Sequence, residues 1–105
     1  MMTERNRAKR EAILSAGMVM WQDGMRPTCG QIATKIGLKK HSNVAYYYPT
    51  AFKLEWAIAK YAIAHSNSRL IVQLIATDHP AVASLSDDER SYHLANIAGT
   101  SANTS

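Results

Sequence analysis

The sequence predicts an all-α fold, with a trihelical helix-turn-helix at the N-terminal end, a long fourth helix and a short C-terminal helix. Apolar residues recur at three- and four-residue steps through most of the 105 residues. Capping residues precede several of these segments, and glycine or proline follows them. Between Pro27 and Tyr48, a capped apolar segment, a glycine and a basic segment follow one another in the order typical of a helix-turn-helix.

The first helix is predicted over residues 4–22, with Asp23 and Gly24 ending it. The side chains expected to face inward are Ala8, Ala12, Ile13, Ala16, Met20 and Trp21. Gly17 interrupts this pattern at a cost of roughly 1 kcal/mol against Ala, and we expect it to permit close packing by another helix. The opening turn is basic, with Arg5, Arg7, Lys9 and Arg10. In a trihelical DNA-binding domain such an end lies near the phosphate backbone; a solvated terminus is the alternative.

Helix 2 is predicted over residues 28–36 and helix 3 over residues 40–47. Thr28 and Gln31 form a T-x-x-Q capping box, and Gly37 stands where the chain must turn. Met25 is expected to point inward, and Pro49 closes helix 3. In a helix-turn-helix, the N-terminal residues of the second helix enter the major groove. The residues placed there are Lys39, Lys40, His41 and Asn43.

The apolar pattern of the fourth helix runs over residues 51–77, beginning at a Thr50 cap. Poor helix formers at residues 65–68 predict either one helix with a polar waist or two helices with a break. The second half of the segment has no obvious surface to pack against within so short a chain, so self-association is predicted to bury it. The dimerisation residues are Leu70, Ile71, Leu74 and Ile75. The alternative is that the last helix folds back and covers them.

Asp78 to Pro80 break the pattern, and a short turn is expected over residues 81–85. Ser86 and Glu89 form an S-x-x-E capping box for a helix over residues 87–98, which Gly99 ends. Its expected packing residues are Tyr92, Leu94, Ala95 and Ile97. These elements divide the chain into a DNA-binding domain at residues 1–60, a helical extension for packing and dimerisation at residues 61–98, and a disordered tail at residues 99–105.

Charge is distributed unevenly along the chain. The first 60 residues have ten Lys and Arg against four Asp and Glu, whereas the remaining 45 have two against four. Such asymmetry is typical of a nucleic-acid-binding face joined to a differently charged part, with a solvated basic surface as the alternative. No apolar run reaches the roughly 18 residues that a membrane span needs, and no apolar segment follows the charged start as in a signal peptide. We therefore expect a cytoplasmic protein with no membrane partner.

Other chemistry has little support. The four histidines and Cys29 lack metal-ligand spacing, and Cys29 is expected to be a small packing residue. A single cysteine permits no intrachain disulfide. Glycine-rich phosphate loops and nucleophile motifs are absent from the sequence, so neither an enzyme nor a cofactor is expected.

The order REAIL-x-A, DG, T-x-x-QIA-x-x-IGL and AYYYP followed by KL resembles the N-terminal DNA-binding domain of TetR-type transcriptional regulators, over about residues 7–60. The resemblance implies a homeodomain-like trihelical unit. It also implies that Thr28 meets a phosphate, that Tyr46 or Tyr47 lies against the backbone, and that Lys53 lies near a phosphate. The segment after Leu38 is one residue longer than the family pattern, which shifts the apolar anchor from Asn43 to Val44. Too little chain follows residue 70 for the family's ligand-binding domain.

We therefore expect a sequence-specific, duplex-DNA-binding transcriptional regulator that acts as a homodimer and lacks an effector domain. The phosphate contacts are assigned to Arg5, Arg7, Thr28, Tyr46, Tyr47 and Lys53. Two other classes fit the same small fold. One is a DNA-binding component of a viral packaging or recombination machine, similar to a small terminase subunit, which would form a ring or higher oligomer. The other is an adaptor that uses the trihelical unit to bind a protein partner.

Overall fold

The computed structural model describes residues 4–38, 40 and 42–104, and within these it contains six α-helices and no strand. The helices are α1 (Glu4–Gln22), α2 (Cys29–Lys35), α3 (Ser42–Ala45), α4 (Ala51–Ala64), α5 (Ser68–Ala76) and α6 (Asp87–Thr104), with a 3₁₀ turn at Pro80–Ser84 before α6. The all-α prediction is confirmed, and the bounds of α1 agree with the prediction. None of the helices described is long and apolar enough to cross a membrane.

The core is organised around α5, which packs against α1, α4, α6 and the 3₁₀ turn. Leu70, Ile71 and Leu74 are fully buried there. The 3₁₀ turn is held against α1 and α4 by His79, whose ring centroid lies 5.9 Å from that of Trp21 and 5.8 Å from that of Trp56. The DNA-binding part and the helical extension predicted from the sequence therefore share one hydrophobic core.

Gly17 is the point at which α1 crosses α4 and α2. A Cβ atom added to Gly17 would overlap Cδ1 of Ile58, lie 3.0 Å from its Cγ1, and lie 3.2 Å from Cδ1 of Ile32. Ile58 and Ile32 are both fully buried. The close packing expected of this glycine is confirmed, and it explains why a poor helix former stands in the middle of a 19-residue helix.

Two glycines with positive φ set the turns on either side of α2. Gly24 has φ +91° and Gly37 has φ +81°, a region that side chains with a Cβ rarely adopt. After Gly37, the Leu38 N–H donates to the Ala33 carbonyl at 2.7 Å, which closes the end of α2. At the start of α2, the Thr28 hydroxyl accepts from the Gln31 N–H at 3.2 Å, so the predicted cap is confirmed.

Of the two predictions for residues 51–77, the one with two helices separated by a break is confirmed. Ser66 has φ +52°, which ends α4, and the Asn67 side chain accepts from the Leu70 N–H at 3.2 Å to cap α5. Asn67 also donates from Nδ2 to Oε1 of Gln22 at 2.7 Å. The break therefore lets α5 pack against α1, and the bond from Asn67 to Gln22 joins the two helices.

The chain itself covers most of the strip that was predicted for dimerisation. Leu70, Ile71 and Leu74 are 0% exposed, and Ile75 is half-buried. The alternative, in which the last helix folds back, is correct, since α6 lies against α5. Side chains enclosed in this way are not available to a second copy of the chain.

The inward face of α6 also differs from the prediction. Tyr92 is 63% and Leu94 47% exposed, and Ala95 is exposed as well, so only Ile97 of the four expected packing residues is partly covered. The face that packs inward is polar. Nη2 of Arg90 donates to the Val82 carbonyl at 2.8 Å, and His93 is hydrogen-bonded to Ser68 of α5. These polar attachments rotate α6 so that its larger apolar side chains face outward.

Three further expectations are corrected. Helix α3 ends at Ala45 rather than near residue 47, because the N–H groups of Tyr47 and Tyr48 both donate to the Val44 carbonyl in a closing turn before Pro49. Helix α6 continues through Gly99 to Thr104, since one glycine costs a helix only about 1 kcal/mol, and residues 100–104, predicted to be a disordered tail, are helical. Among residues expected inside, Met25 is 49% exposed and Ala8 and Ala12 are exposed.

Candidate nucleic-acid interface

The segment after Gly37 contains a single helical turn, α3, whose Val44 side chain anchors it to the core. Val44 is fully buried, which places the anchor one residue after Asn43, at the position that the longer segment predicts. Asn43 and Lys40 are exposed, and Tyr46 is 80% exposed. Lys39 and His41 lie outside the described residues. The described polar residues of the segment thus face outward while the turn itself is fixed to the core.

Thr28, which caps α2, and Tyr47, which lies shortly after α3, are two further predicted site residues. The Thr28 hydroxyl is exposed and accepts from the backbone of α2, which leaves its proton to donate to an anion. The Tyr47 ring is half-buried against the core and lies edge-on to Tyr46, with centroids 5.1 Å apart and planes at 88°. The expectation that at least one of the three consecutive tyrosines belongs to the core is confirmed most clearly by Tyr48, which is 6% exposed.

Tyr48 connects α3 to the basic start of α1. Nε of Arg10 lies 3.5 Å from the Tyr48 hydroxyl, and its guanidinium carbon lies 5.8 Å from the centre of the ring. Arg7 is exposed and, with Arg10 and Tyr48, lines a shallow depression of about 300 Å³. The side chain of Arg5 lies outside the described residues. The structure therefore brings Arg7 close to Tyr48, which lies three residues after the end of α3.

On the other side of Tyr48 lies the first turn of α4. Thr50 caps this helix by accepting from the Lys53 N–H at 3.1 Å, and the Lys53 side chain is exposed. Lys53 and Lys60 line a second depression that also includes Tyr48. We refer to Arg7, Arg10, Lys53 and Lys60, the four cations of the two depressions, as the Tyr48 basic band.

Sequence reasoning missed two members of this band as site residues. Lys60 follows Lys53 by seven residues, two turns of helix, so helical spacing alone would have placed both on one side of α4. Arg10 was part of the basic opening turn, but its contact with Tyr48 spans 38 residues and no local pattern predicts it.

The acidic side chains at the start of α6 contrast with this band. Ser86 and Glu89 form the predicted capping box: the Ser86 N–H donates to Oε1 of Glu89 and the Glu89 N–H donates to the Ser86 hydroxyl, each at 3.1 Å. The hydrogen bond from the Ser86 backbone, followed by that from its hydroxyl, lowers the pKa of Glu89. Asp87 and Asp88 share this first turn. Negative charge at this end of the chain therefore stabilises a helix N-terminus.

Two groups that resemble catalytic side chains have structural roles. The hydroxyl of Ser68 lies 2.7 Å from Nδ1 of His93 and accepts from Nδ2 of Asn96 at 3.1 Å. Ser68 and His93 are each 6% exposed, as suits a pair that attaches α6 to α5. Burial raises the pKa of the Cys29 thiol, whose sulfur lies 3.9 Å from the Tyr48 carbonyl oxygen, as suits a packing residue. Within the described residues, no three His, Cys, Asp or Glu side chains could hold a metal ion.

Comparison of the chain with models of protein families, with curated proteins and with solved structures finds no match.

Proposed function

We propose that this chain is a cytoplasmic, sequence-specific transcriptional regulator that binds duplex DNA by a TetR-like helix-turn-helix formed by α1, α2 and α3. The observation that carries the proposal is the exposure pattern around Val44. Val44 is 0% exposed, whereas Lys40 and Asn43, which precede it, are exposed. A turn that is held to the core by Val44 and presents amide and ammonium groups outward is suited to hydrogen bonding with base edges in the major groove.

The proposed contacts fall into two groups. Lys39, Lys40, His41 and Asn43 face the groove. Arg5, Arg7, Thr28, Tyr46, Tyr47 and Lys53 hold phosphates, which position the protein without reading sequence. Arg7 and Lys53 support this division, because each is exposed, lines a depression that Tyr48 also lines, and could contact a phosphate.

A helix of four residues limits how many base pairs one copy can read. The proposal therefore includes a homodimer on a two-fold symmetric site, because two copies would double the number of base contacts and the site would match the symmetry of the dimer. Its contact surface excludes the α5 strip, which the chain itself buries.

The test is the salt dependence of binding to mixed-sequence duplex DNA, measured by fluorescence anisotropy. Lys40→Ala should weaken binding to every duplex and reduce the slope of log affinity against log salt by about one, because the interface loses one cation and binding releases fewer counterions. Arg69→Ala is the matched control. It removes an equally charged side chain, 64% exposed, from α5, and should leave the slope unchanged.

An unchanged slope for Lys40→Ala would remove this residue from the interface. Wild-type protein that shows no salt-dependent binding to any duplex would contradict the proposal and favour the second candidate, a protein-binding adaptor. One observation favours that candidate: Tyr46, at the end of α3, is 80% exposed, and aromatic side chains are enriched in protein interfaces.

A further inference from the structure

The outward side of α4 contains a groove that the proposed duplex contacts do not explain. It has a volume of about 390 Å³, and we call it the α4 groove. Its lining consists of Tyr48, Phe52, Lys53, Trp56, Ala57 and Lys60. Only Lys53 among these has a part in the proposed duplex interface.

Aromatic and basic side chains alternate along the groove. Phe52 and Trp56 are one helical turn apart, with ring centroids separated by 5.8 Å and planes inclined at 34°. Phe52 is 64% exposed, an unusual position for a phenylalanine with no polar atom to hydrate. The ammonium nitrogen of Lys60 lies 5.9 Å from the centre of the Trp56 ring. Lys53 and Lys60, seven residues apart, are separated by roughly 10 Å along the helix axis.

We propose that the α4 groove binds single-stranded nucleic acid, with an unpaired base stacked on Phe52 and beside Trp56 and with flanking phosphates held by Lys53 and Lys60. A flat π-face and a regularly spaced negative charge are the two features that this lining complements. Bases within a duplex are stacked on one another and cannot present their faces to the groove. The site therefore goes beyond the proposed duplex-binding function.

Charge beyond the groove favours a polyanion over a short acidic peptide. Tyr48 borders both the α4 groove and the depression that contains Arg7 and Arg10, so the basic surface continues past the aromatic pair. Among the described residues that line these two depressions, Glu11 is the one acidic side chain. An extended row of cations matches a repeating phosphate backbone, whereas a peptide with a few carboxylates would engage only part of it.

The experiment compares two single strands that differ only in their bases. Fluorescein-labelled oligothymidylate of 15 nucleotides and an abasic chain of the same length are titrated into the protein, and anisotropy gives both affinities. Wild-type protein should bind the thymidylate strand at least about fivefold more tightly, the lower end of what one stacked base contributes. In a Trp21→Phe background, in which Trp56 is the one tryptophan left of two, thymidylate but not the abasic chain should quench the emission.

Phe52→Ala is the central variant, because an exposed side chain can be removed without opening the core. It should abolish the preference for thymidylate over the abasic chain. Lys60→Ala should instead lower the affinity for both strands and leave the preference unchanged. Tyr92→Ala is the matched control, since Tyr92 is 63% exposed on α6, and it should change neither affinity. Thermal unfolding followed by circular dichroism checks that each variant is folded.

Equal affinity of wild-type protein for the two strands would overturn the inference, as would a preference that survives Phe52→Ala. Tighter binding of an acidic, phenylalanine-containing peptide, competed by neither strand, would instead make the groove a protein-binding surface. The duplex proposal is tested separately, because Phe52→Ala should leave the salt slope for duplex DNA unchanged. If wild-type protein does not bind duplex DNA but still prefers the thymidylate strand, only the duplex proposal is refuted.

Discussion

The crossing of α1 over α4 at Gly17 gives a prediction whose size can be worked out from the structure. Replacing Gly17 by Ala improves helix propensity by about 1 kcal/mol. The added Cβ would overlap Cδ1 of the fully buried Ile58, and overpacking of this kind costs about 1–3 kcal/mol. Gly17→Ala should therefore lower the free energy of unfolding by about 0–2 kcal/mol, although glycine-to-alanine changes within helices usually raise it.

The atom responsible can be removed. Ile58→Val deletes the overlapping Cδ1 and by itself should cost about 0.5–1.5 kcal/mol. In the valine background most of the overlap is gone, so Gly17→Ala should become neutral or stabilising. Urea denaturation of the four proteins in this double-mutant cycle measures the coupling, which should favour the double variant by about 1 kcal/mol or more. A Gly17→Ala variant that is about 1 kcal/mol more stable than wild type in both backgrounds would refute the close crossing.

Two further predictions concern the attachment of α6. Ser68→Ala should lower the free energy of unfolding by about 1–3 kcal/mol, measured by urea denaturation, because it removes the buried hydroxyl that both His93 and Asn96 contact; a neutral effect would mean that these groups find other partners. Because folding lowers the pKa of Glu89, the ionised carboxylate stabilises the folded state at pH values above its ordinary pKa of 4.5. This stabilisation is lost as the pH falls through the lower pKa of the folded state. Thermal unfolding against pH should therefore show wild type and Glu89→Gln converging in acid, and a constant difference would contradict the capping role.

Local signals predicted the elements whose ends are set by nearby residues. The Thr28 cap and the S-x-x-E capping box at Ser86 form, and the bounds of α1 follow from the apolar pattern and the Asp23–Gly24 turn. These features need only backbone groups within four residues. The shorter α3 is the exception. Pro49 was expected to end this helix near residue 47, but the helix ends at Ala45 and a turn follows it.

Non-local packing accounts for the errors. The α5 strip was predicted to need a second copy because hydrophobic periodicity does not reveal a helix that is attached through polar side chains such as Arg90 and His93. Tyr92 and Leu94 were chosen for their apolar character and face outward instead. The buried pairing of Ser68 with His93 spans 25 residues, and neither residue signals it alone.

The candidate site was predictable in part for the same reason. Lys40, Asn43 and Tyr46 are exposed, as residues predicted to contact DNA were expected to be, because their surroundings are set by Gly37 and Val44 nearby. The Tyr48 basic band required the tertiary contact between Arg10 and Tyr48, which juxtaposes the start of α1 with the start of α4. The α4 groove was missed because an apolar residue in a helical pattern is expected to be covered, whereas Phe52 lies mostly in solvent.

The central claim is that the turn carrying Asn43 reads base pairs. Its most direct test is selection of bound fragments from random duplex DNA, followed by affinity measurements on the enriched duplex and its single-base-pair variants with wild-type protein and with Asn43→Ala. We predict that selection enriches a defined sequence and that Asn43→Ala loses about 1–3 kcal/mol of discrimination at one base pair, an A·T pair for an amide side chain, while other positions are unaffected. No enriched sequence, or equal loss of affinity for all duplexes in the variant, would contradict the claim.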